Sequence, residues 1–472
     1  MTMHYSSSLL DGRVAIAKTK SSCYENGSDD ASRVIARCAS LLGWSDNEHG
    51  PFGTVIPKDA KVVIKPNLVM HENQGPGGIE PLITHSNFVR ATVEAALQSA
   101  ASEVIVGDAP LQACDFDELL NVTGLDRWAR RMNESEPRFR GIRDFRRTTC
   151  QFVNGVRVAT EELIAEDRFV LFDLADDSLL EPVTDDQHSF RVTCYDPRLL
   201  AKKHSRGCHQ YLVAKDVIDA DVIINLPKLK THKKAGITCA LKNLIGINGN
   251  KEFLPHHRIG GSDAGGDCYP GGSRLKRALE YTLDLQNKVS SFAAARIWSE
   301  VAANLNRVST LAGDNLGVEG SWSGNNTIWR TGLDLNRILL YGRSDGSLAD
   351  TVQRRVIHLV DAVVAGQGDG PLCPDPLPLG LFVAGSNAAA IDWVGAQLLG
   401  YIPERIPIAR ESFKQFRWPI TAFTSAGVTV SGDFGTGRAD DVLATSGIET
   451  NITHPAGWRD AARTPVTTSV EG

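Results

Sequence analysis

No C-x-x-C pair occurs among the nine cysteines, which are scattered at Cys23, Cys38, Cys114, Cys150, Cys194, Cys208, Cys239, Cys268 and Cys373. Iron–sulfur and structural zinc motifs are therefore absent, and the odd count reads as free thiols. No apolar run approaches the roughly 18 residues that span a membrane, and MTMHYSSSLLDGR at the start lacks a basic flank followed by an apolar core. A cytoplasmic protein without a membrane partner is expected. Positive charge is in deficit: 50 lysines and arginines face 56 aspartates and glutamates, for a net charge of -6 and a pI near 6.1. That balance argues against a nucleic-acid partner. No G-x-G-x-x-G follows a strand and no G-x-x-x-x-G-K-[ST] occurs, so neither an NAD site nor a P-loop is expected.

Against this acidic background one stretch is basic, DVIINLPKLKTHKKAGITCALKNLIGINGNK, from Asp221 to Lys251. Its apolar, β-branched start, stopped by a proline, reads as a buried strand of a parallel sheet. The residues after it read as a lysine-rich loop carrying Lys228, Lys230, Thr231, His232, Lys233 and Lys234, then Lys242, Asn243 and Lys251. Loops leaving the carboxyl ends of such strands form the ligand crevice, and lysine suits phosphate or carboxylate oxygens. The competing reading is a solvated basic loop. The interleaved Thr231, His232 and Asn243 offer directional contacts and favour a small anion.

The α/β alternation begins with a strand over Gly12–Lys18 and a helix over Ala31–Leu42. A second strand, AKVVIKPNLV (60–69), ends like Asn225-Leu-Pro-Lys228, so Lys65, Asn67, Asn225 and Lys228 converge if the strands are neighbours. Thr84 or Ser86 caps a helix over Asn87–Ser99, and the strand after it ends in Gly107-Asp108-Ala109-Pro110. Asp108 sits where a strand-end carboxylate holds a metal, a hydroxyl or a lysine, or makes a turn. Residues 111–220 look β-rich around Cys150–Val158, Phe169–Phe172 and Tyr211–Val213, with Arg138, Arg140, Arg143, Arg146 and Arg147 read as a solvated face. Leu275–Val308 is an amphipathic helical region. The α/β pattern resumes at Leu335, and VIHLVDAVV (356–364) exits through Gly366-Gln-Gly-Asp369-Gly-Pro, followed by a helix over Ala388–Leu399.

VVIKPNLV (62–69), VIVGDAP (104–110), DVIINLPKLKTHKKAGITCALKNLIG (221–246), VDAVVAGQGDGP (360–371) and AAAIDWVGAQLLGY together resemble the family catalogued as domain of unknown function 362, over most of residues 12–401. The ferredoxin-like cysteine segment of many relatives is missing, which leaves electron transfer out of the expectation. A fainter likeness is to the nickel-pincer lactate racemases. It implies that His232 and Lys242, ten residues apart, match their histidine and cofactor-tethering lysine, with His256 or His257 near a further ligand. Gly107-Asp108-Ala109-Pro110 and Lys65-Pro66-Asn67 stand where those racemases carry other motifs, so the nickel cofactor is not carried over.

The expected fold is α/β, with open, mainly parallel sheets flanked by helices on both faces as in the racemases. Residues 12–273 form the core with a β-rich insertion at about 138–215, 274–334 a helical arm, 335–450 a second α/β portion, and 451–472 a disordered tail. The expected function is an enzyme on a small anionic metabolite. Lys65, Asn67, Asn225, Lys228, Lys230, Asn243, Lys251 and Asp369 bind it, and His232, Lys242 and Asp108 act in catalysis. His232 and Asp108 form the proton-transfer pair, and like charges depress the Lys242 pKa. One alternative is metal-assisted epimerisation or hydride transfer, with a divalent or transition metal on His232, His256 and His257. Another is a non-catalytic anion-binding protein.

Overall fold

A computed structural model describes residues 7–24, 27–153, 156–311, 316–448 and 451–463. Buried β-branched runs build one mixed sheet of eleven strands: β1 (Arg13–Lys18), β2 (Lys61–Pro66), β3 (Glu103–Asp108), β4 (Phe139–Asp144), β5 (Val222–Leu226), β6 (Lys228–His232), β7 (Gly236–Thr238), β8 (Arg355–Asp369), β9 (Cys373–Gly385), β10 (Thr429–Gly432) and β11 (Gly435–Arg438). The order is β11-β10-β1-β9-β8-β5-β2-β3-β4, with β6 beside β8 and β7 beside β6. From β8 through β5, β2 and β3 to β4 every neighbour is parallel, while β8 and β9 form a long antiparallel hairpin. Strands from both α/β stretches thus share one sheet.

Both faces of the central strands are covered, which is why they lack a polar alternation. Val62, Ile64, Val222 and Ile224 pack with helices α1 (Asp29–Leu42) and α2 (Ser86–Gln98). Val63 and Ile223 face the opposite way, onto the antiparallel pair Phe169–Asp173 and Cys208–Ala214. In chain order the remaining helices used below are α3 (Ala240–Asn243), α4 (Arg274–Lys288), α5 (Phe292–Leu311), α6 (Ile328–Tyr341) and α7 (Ala388–Leu398). Helix α6 lies with the Phe169–Asp173 layer, and α7 packs on Val14, Ile16 and Val383.

Several expectations need correction. Helix α2 is capped by His85, whose ring Nδ1 accepts from the Asn87 amide. Thr84 instead accepts from the Asn67 amide and donates to the Leu226 carbonyl, tying the ends of β2 and β5 together. Leu275–Val308 breaks into α4 and α5, because Ser291 starts a new helix by accepting from the Ala294 amide. Arg146 is not solvated: it is 1% exposed, paired with Asp144, and donates to the carbonyls of Leu111 and Cys114. The expected tail of 451–472 is ordered over 451–463, and the rest lies outside the described residues. Trp458, 1% exposed, seats this segment by donating from Nε1 to the Lys233 carbonyl at 2.5 Å.

Candidate functional site

Past Pro227 the chain does not loop out. Lys228–His232 continues as β6, parallel to β8 and antiparallel to β7, with every residue buried. The lysine-rich loop of the sequence reading is therefore a buried strand, followed by the short helix α3 that carries Lys242 and Asn243. Buried ammonium groups need acceptors or they shed their protons, so the partners of each lysine decide its role.

Lys65 and Lys228 are fully occupied within the protein. Lys65 Nζ, at the end of β2, lies 2.5 Å from Asp108 Oδ1 at the end of β3, and it also donates to the Pro66 carbonyl at 2.9 Å and Asn243 Oδ1 at 3.1 Å. Asp108 Oδ2 accepts from the Leu68 amide at 2.6 Å. Burial lowers the Lys65 pKa and raises that of Asp108, and their mutual attraction opposes both shifts. Asn243 Nδ2 donates to Asn225 Oδ1 at 2.8 Å, and Asn225 Nδ2 to the Ala240 carbonyl at 2.9 Å. Gly246 closes over this network, since a Cβ there would fall 2.2 Å from Asp108 Oδ1. Lys228 Nζ uses its three donors on Asp361 Oδ2 at 2.6 Å, Tyr24 Oη at 2.5 Å and the Val364 carbonyl at 3.2 Å. Tyr24 in turn donates to Asp361 Oδ1 at 2.7 Å and stacks on His85.

These bonds overturn part of the expected anion site. Lys65 and Lys228 have no donor left for a ligand, and both amide groups of Asn225 and Asn243 are satisfied internally. Asp108 answers to Lys65 and Leu68, so it shares no hydrogen bond with His232. Asp369 is exposed at the end of β8, with no side-chain partner among the described residues. Asn67 differs: its Oδ1 is buried and has no hydrogen-bond partner among the described residues.

The remaining lysines stand apart. Lys230 is fully buried and donates to the Leu82 carbonyl; burial first, then Lys228 and Lys242, push its pKa well down. Lys234 donates to Thr193 Oγ1 at 2.8 Å and pairs with Glu319 at 3.2 Å. Lys242 and Lys251 have no hydrogen-bond or ion-pair partner among the described residues, and both keep partial exposure. Burial, followed by Lys251, Lys234 and Lys65, lowers the Lys242 pKa to about 7. Burial and then Lys234 lower that of Lys251 to about 8.

Two histidines join this cluster in opposite tautomers. His232 Nδ1 accepts from the amides of Lys234 at 3.0 Å and Ala235 at 3.2 Å, which assigns its proton to Nε2. His256 Nδ1 lies 2.7 Å from the Leu254 carbonyl, an acceptor only, so Nδ1 carries the proton and Nε2 a lone pair. Burial, with Lys242 and Lys251 among the opposing charges, holds both rings well below the usual imidazole range, hence neutral. His257 does not join them as a metal ligand. It pairs with Arg191 in a short strand, where successive side chains point to opposite faces, and its buried Nδ1 has no partner among the described residues. Among the described residues no three His, Cys, Asp or Glu side chains come together as a metal site, which removes the expected histidine trio.

Sequence reasoning missed two neighbours of the cluster. Cys194, whose φ of 67° is left-handed, lies close enough to oppose the downward shift of Lys251, and Glu319 is the carboxylate that answers Lys234. Neither carries a local signal, since a lone cysteine and a loop glutamate gain meaning only from the chain folded beside them.

The molecule is thus an α/β protein whose mainly parallel sheet gathers lysines, asparagines and two neutral histidines around β6 and α3. The chain belongs to the family described as domain of unknown function (DUF362), whose model matches residues 62–166 and 183–397. A thylakoid-associated protein of Synechocystis sp. is 24% identical over 195 residues, a match spanning 41% of this chain and 37% of that one. The lactate racemase apoprotein of Thermoanaerobacterium thermosaccharolyticum aligns at a TM-score of 0.33 and 9% identity, over 83% of this chain and 58% of that one. A Thermotoga maritima protein aligns at 0.27 and 11%, over 77% and 57%. Scores this low transfer no residue roles.

Proposed function

We propose that this protein is an enzyme acting on a small phosphorylated or carboxylated metabolite held by Lys242 and Lys251. The observation that carries this reading is that these two lysines lack an acceptor among the described residues while Lys65 and Lys228 are neutralised internally. An anion entering between them supplies the missing charge and restores both ammonium groups. His256 Nε2, the free lone pair, removes a proton from carbon adjacent to the anionic group. His232 Nε2–H hydrogen-bonds the oxygen on which negative charge develops, as a neutral imidazole can. Returning the proton from the same face to the neighbouring carbon completes an isomerisation. Asp108 belongs to the scaffold, holding Lys65 against α3 through Asn243.

The reading is tested by incubating the protein in D2O with a panel of hydroxy acids, oxo acids and sugar phosphates and following loss of carbon-bound proton signals by NMR. Exchange that disappears in His256→Ala, with anion binding retained, is expected. Tight anion binding without exchange from any compound would make it a non-catalytic binding protein instead.

A further inference from the structure

Helix α5 packs its Ala295, Ala302 and Ser309, each seven residues from the next and buried, toward the body of the protein beside α4. Its other side is unexpectedly apolar. Ile297, Val301, Val308 and Leu311 are 64%, 39%, 53% and 87% exposed. With Asn304 they recur at spacings of four, three, four and three, the 3.5-residue repeat of a helix that meets another helix along a seam. This seam has no occupant within the described chain, and at 20 residues the helix extends about 30 Å.

We propose that the α5 seam binds the same seam of a second copy of this chain, antiparallel about a two-fold axis near Asn304, to form a homodimer. The two ends of the seam are complementary to each other. Leu311 projects at one end, and an open, apolar surface formed by Phe292, Ala293 and Ile297 between Arg296 and Glu300 lies at the other. Reversing one helix on the other brings Leu311 of the partner subunit to that surface beside Ile297, and the operation is reciprocal, as a closed two-fold interface requires. Charge selects the same orientation. Glu300 and Arg307 lie on one flank, seven residues apart, and neither has an ion-pair partner among the described residues. An antiparallel copy sets each near its opposite, whereas a parallel copy would turn them toward the flank of Trp298 and Leu305. A polar Asn304 inside the apolar seam fixes the register, the established use of a buried asparagine between helices.

Sedimentation velocity on the full chain, over a range from sub-micromolar to tens of micromolar, tests this directly. A dimer is expected, with Leu311→Asp and Ile297→Asp giving folded monomers whose Tm matches that of the wild type at concentrations too low for dimerisation, because both side chains are already exposed in one copy. Glu300→Arg or Arg307→Glu alone should weaken dimerisation by about tenfold, and the double swap should restore it. Asn304→Cys should form an intermolecular disulfide under mild oxidation. A monomer at every concentration, or a dimer indifferent to Leu311→Asp, would overturn the proposal. So would a monomer that sediments with phosphatidylcholine vesicles in a Leu311-dependent manner, which would assign the seam to a lipid surface.

Discussion

Each lysine of the basic stretch has a different fate, and counter-ions decide it. Charging a buried amine against its desolvation is unfavourable unless an acceptor is present; Lys65 and Lys228 have carboxylates, Lys230 has a carbonyl, and Lys242 and Lys251 have neither among the described residues. The folded pKa of Lys242, about 7 against an ordinary 10.5, means that the native protein holds fewer protons than the unfolded chain between those values. Its burial penalty is therefore full below pH 7 and fades as pH rises toward 10.5, so stability from this group rises with pH. Anion affinity runs the opposite way. The ligand needs charged lysines, so affinity should be greatest below about pH 7 and fall as pH rises past about 7 and 8. Calorimetry at pH 8 in buffers of different ionisation enthalpy should show protons taken up on binding inorganic phosphate. No proton uptake, or an affinity flat from pH 6.5 to 9, would contradict this assignment.

Among the elements, the strands that read clearly were those whose burial needs no distant partner. The apolar, β-branched runs of β2, β3, β5 and β8 read as strands buried on both faces from their own composition, and the parallel pairing of β2 with β3 follows from the single-helix crossover through α2, while β5 and β8 join them through long connections that carry no local signal. Strand β6 was not legible, because Lys-Leu-Lys-Thr-His has a loop's composition. The groups that permit its burial are far off in sequence: Asp361 is 133 residues from Lys228, Tyr24 is 204, and Leu82 is 148 from Lys230. The same holds for the site. Two strand ends of similar sequence suggested that Lys65, Asn67, Asn225 and Lys228 meet; Asn225 does lie beside Lys65 and joins it through Asn243, but Lys228 turns to Asp361, and neither that nor the saturation of Lys65 by Asp108 was legible. The turn after α3 depends on Gly246, where a Cβ would stand 2.2 Å from Asp108 Oδ1 and 2.7 Å from Lys65 Nζ. Gly246→Ala should separate that buried pair and destabilise the protein by about 3–5 kcal/mol, read as a lowered urea midpoint. A change within about 0.5 kcal/mol, the range of surface substitutions, would show that the pair is not held there.

Across the whole molecule, a chain of net charge -6 sets Lys242 and Lys251, largely buried and without a partner among the described residues, near each other, and the segment 451–463 closes over the neighbouring hairpin. Trp458 packs against Gly236, where a Cβ would meet its ring at 2.8 Å, and bonds the Lys233 carbonyl between β6 and β7. Trp458→Ala should cost about 3–5 kcal/mol, as for a large buried side chain, and should raise amide exchange in β6 and β7 ahead of the rest of the sheet. Uniform exchange with unchanged stability would mean that the segment is dispensable. The central claim, that Lys242 and Lys251 are the cations left free for a small anion, is tested most directly by titrating inorganic phosphate and simple carboxylates at pH 6.5, with thermal shift and calorimetry. Wild type should bind and gain several degrees in Tm, while Lys242→Ala and Lys251→Ala should keep their fold and lose the response. Binding that survives in the double variant, or no response to any anion in the wild type, would contradict it.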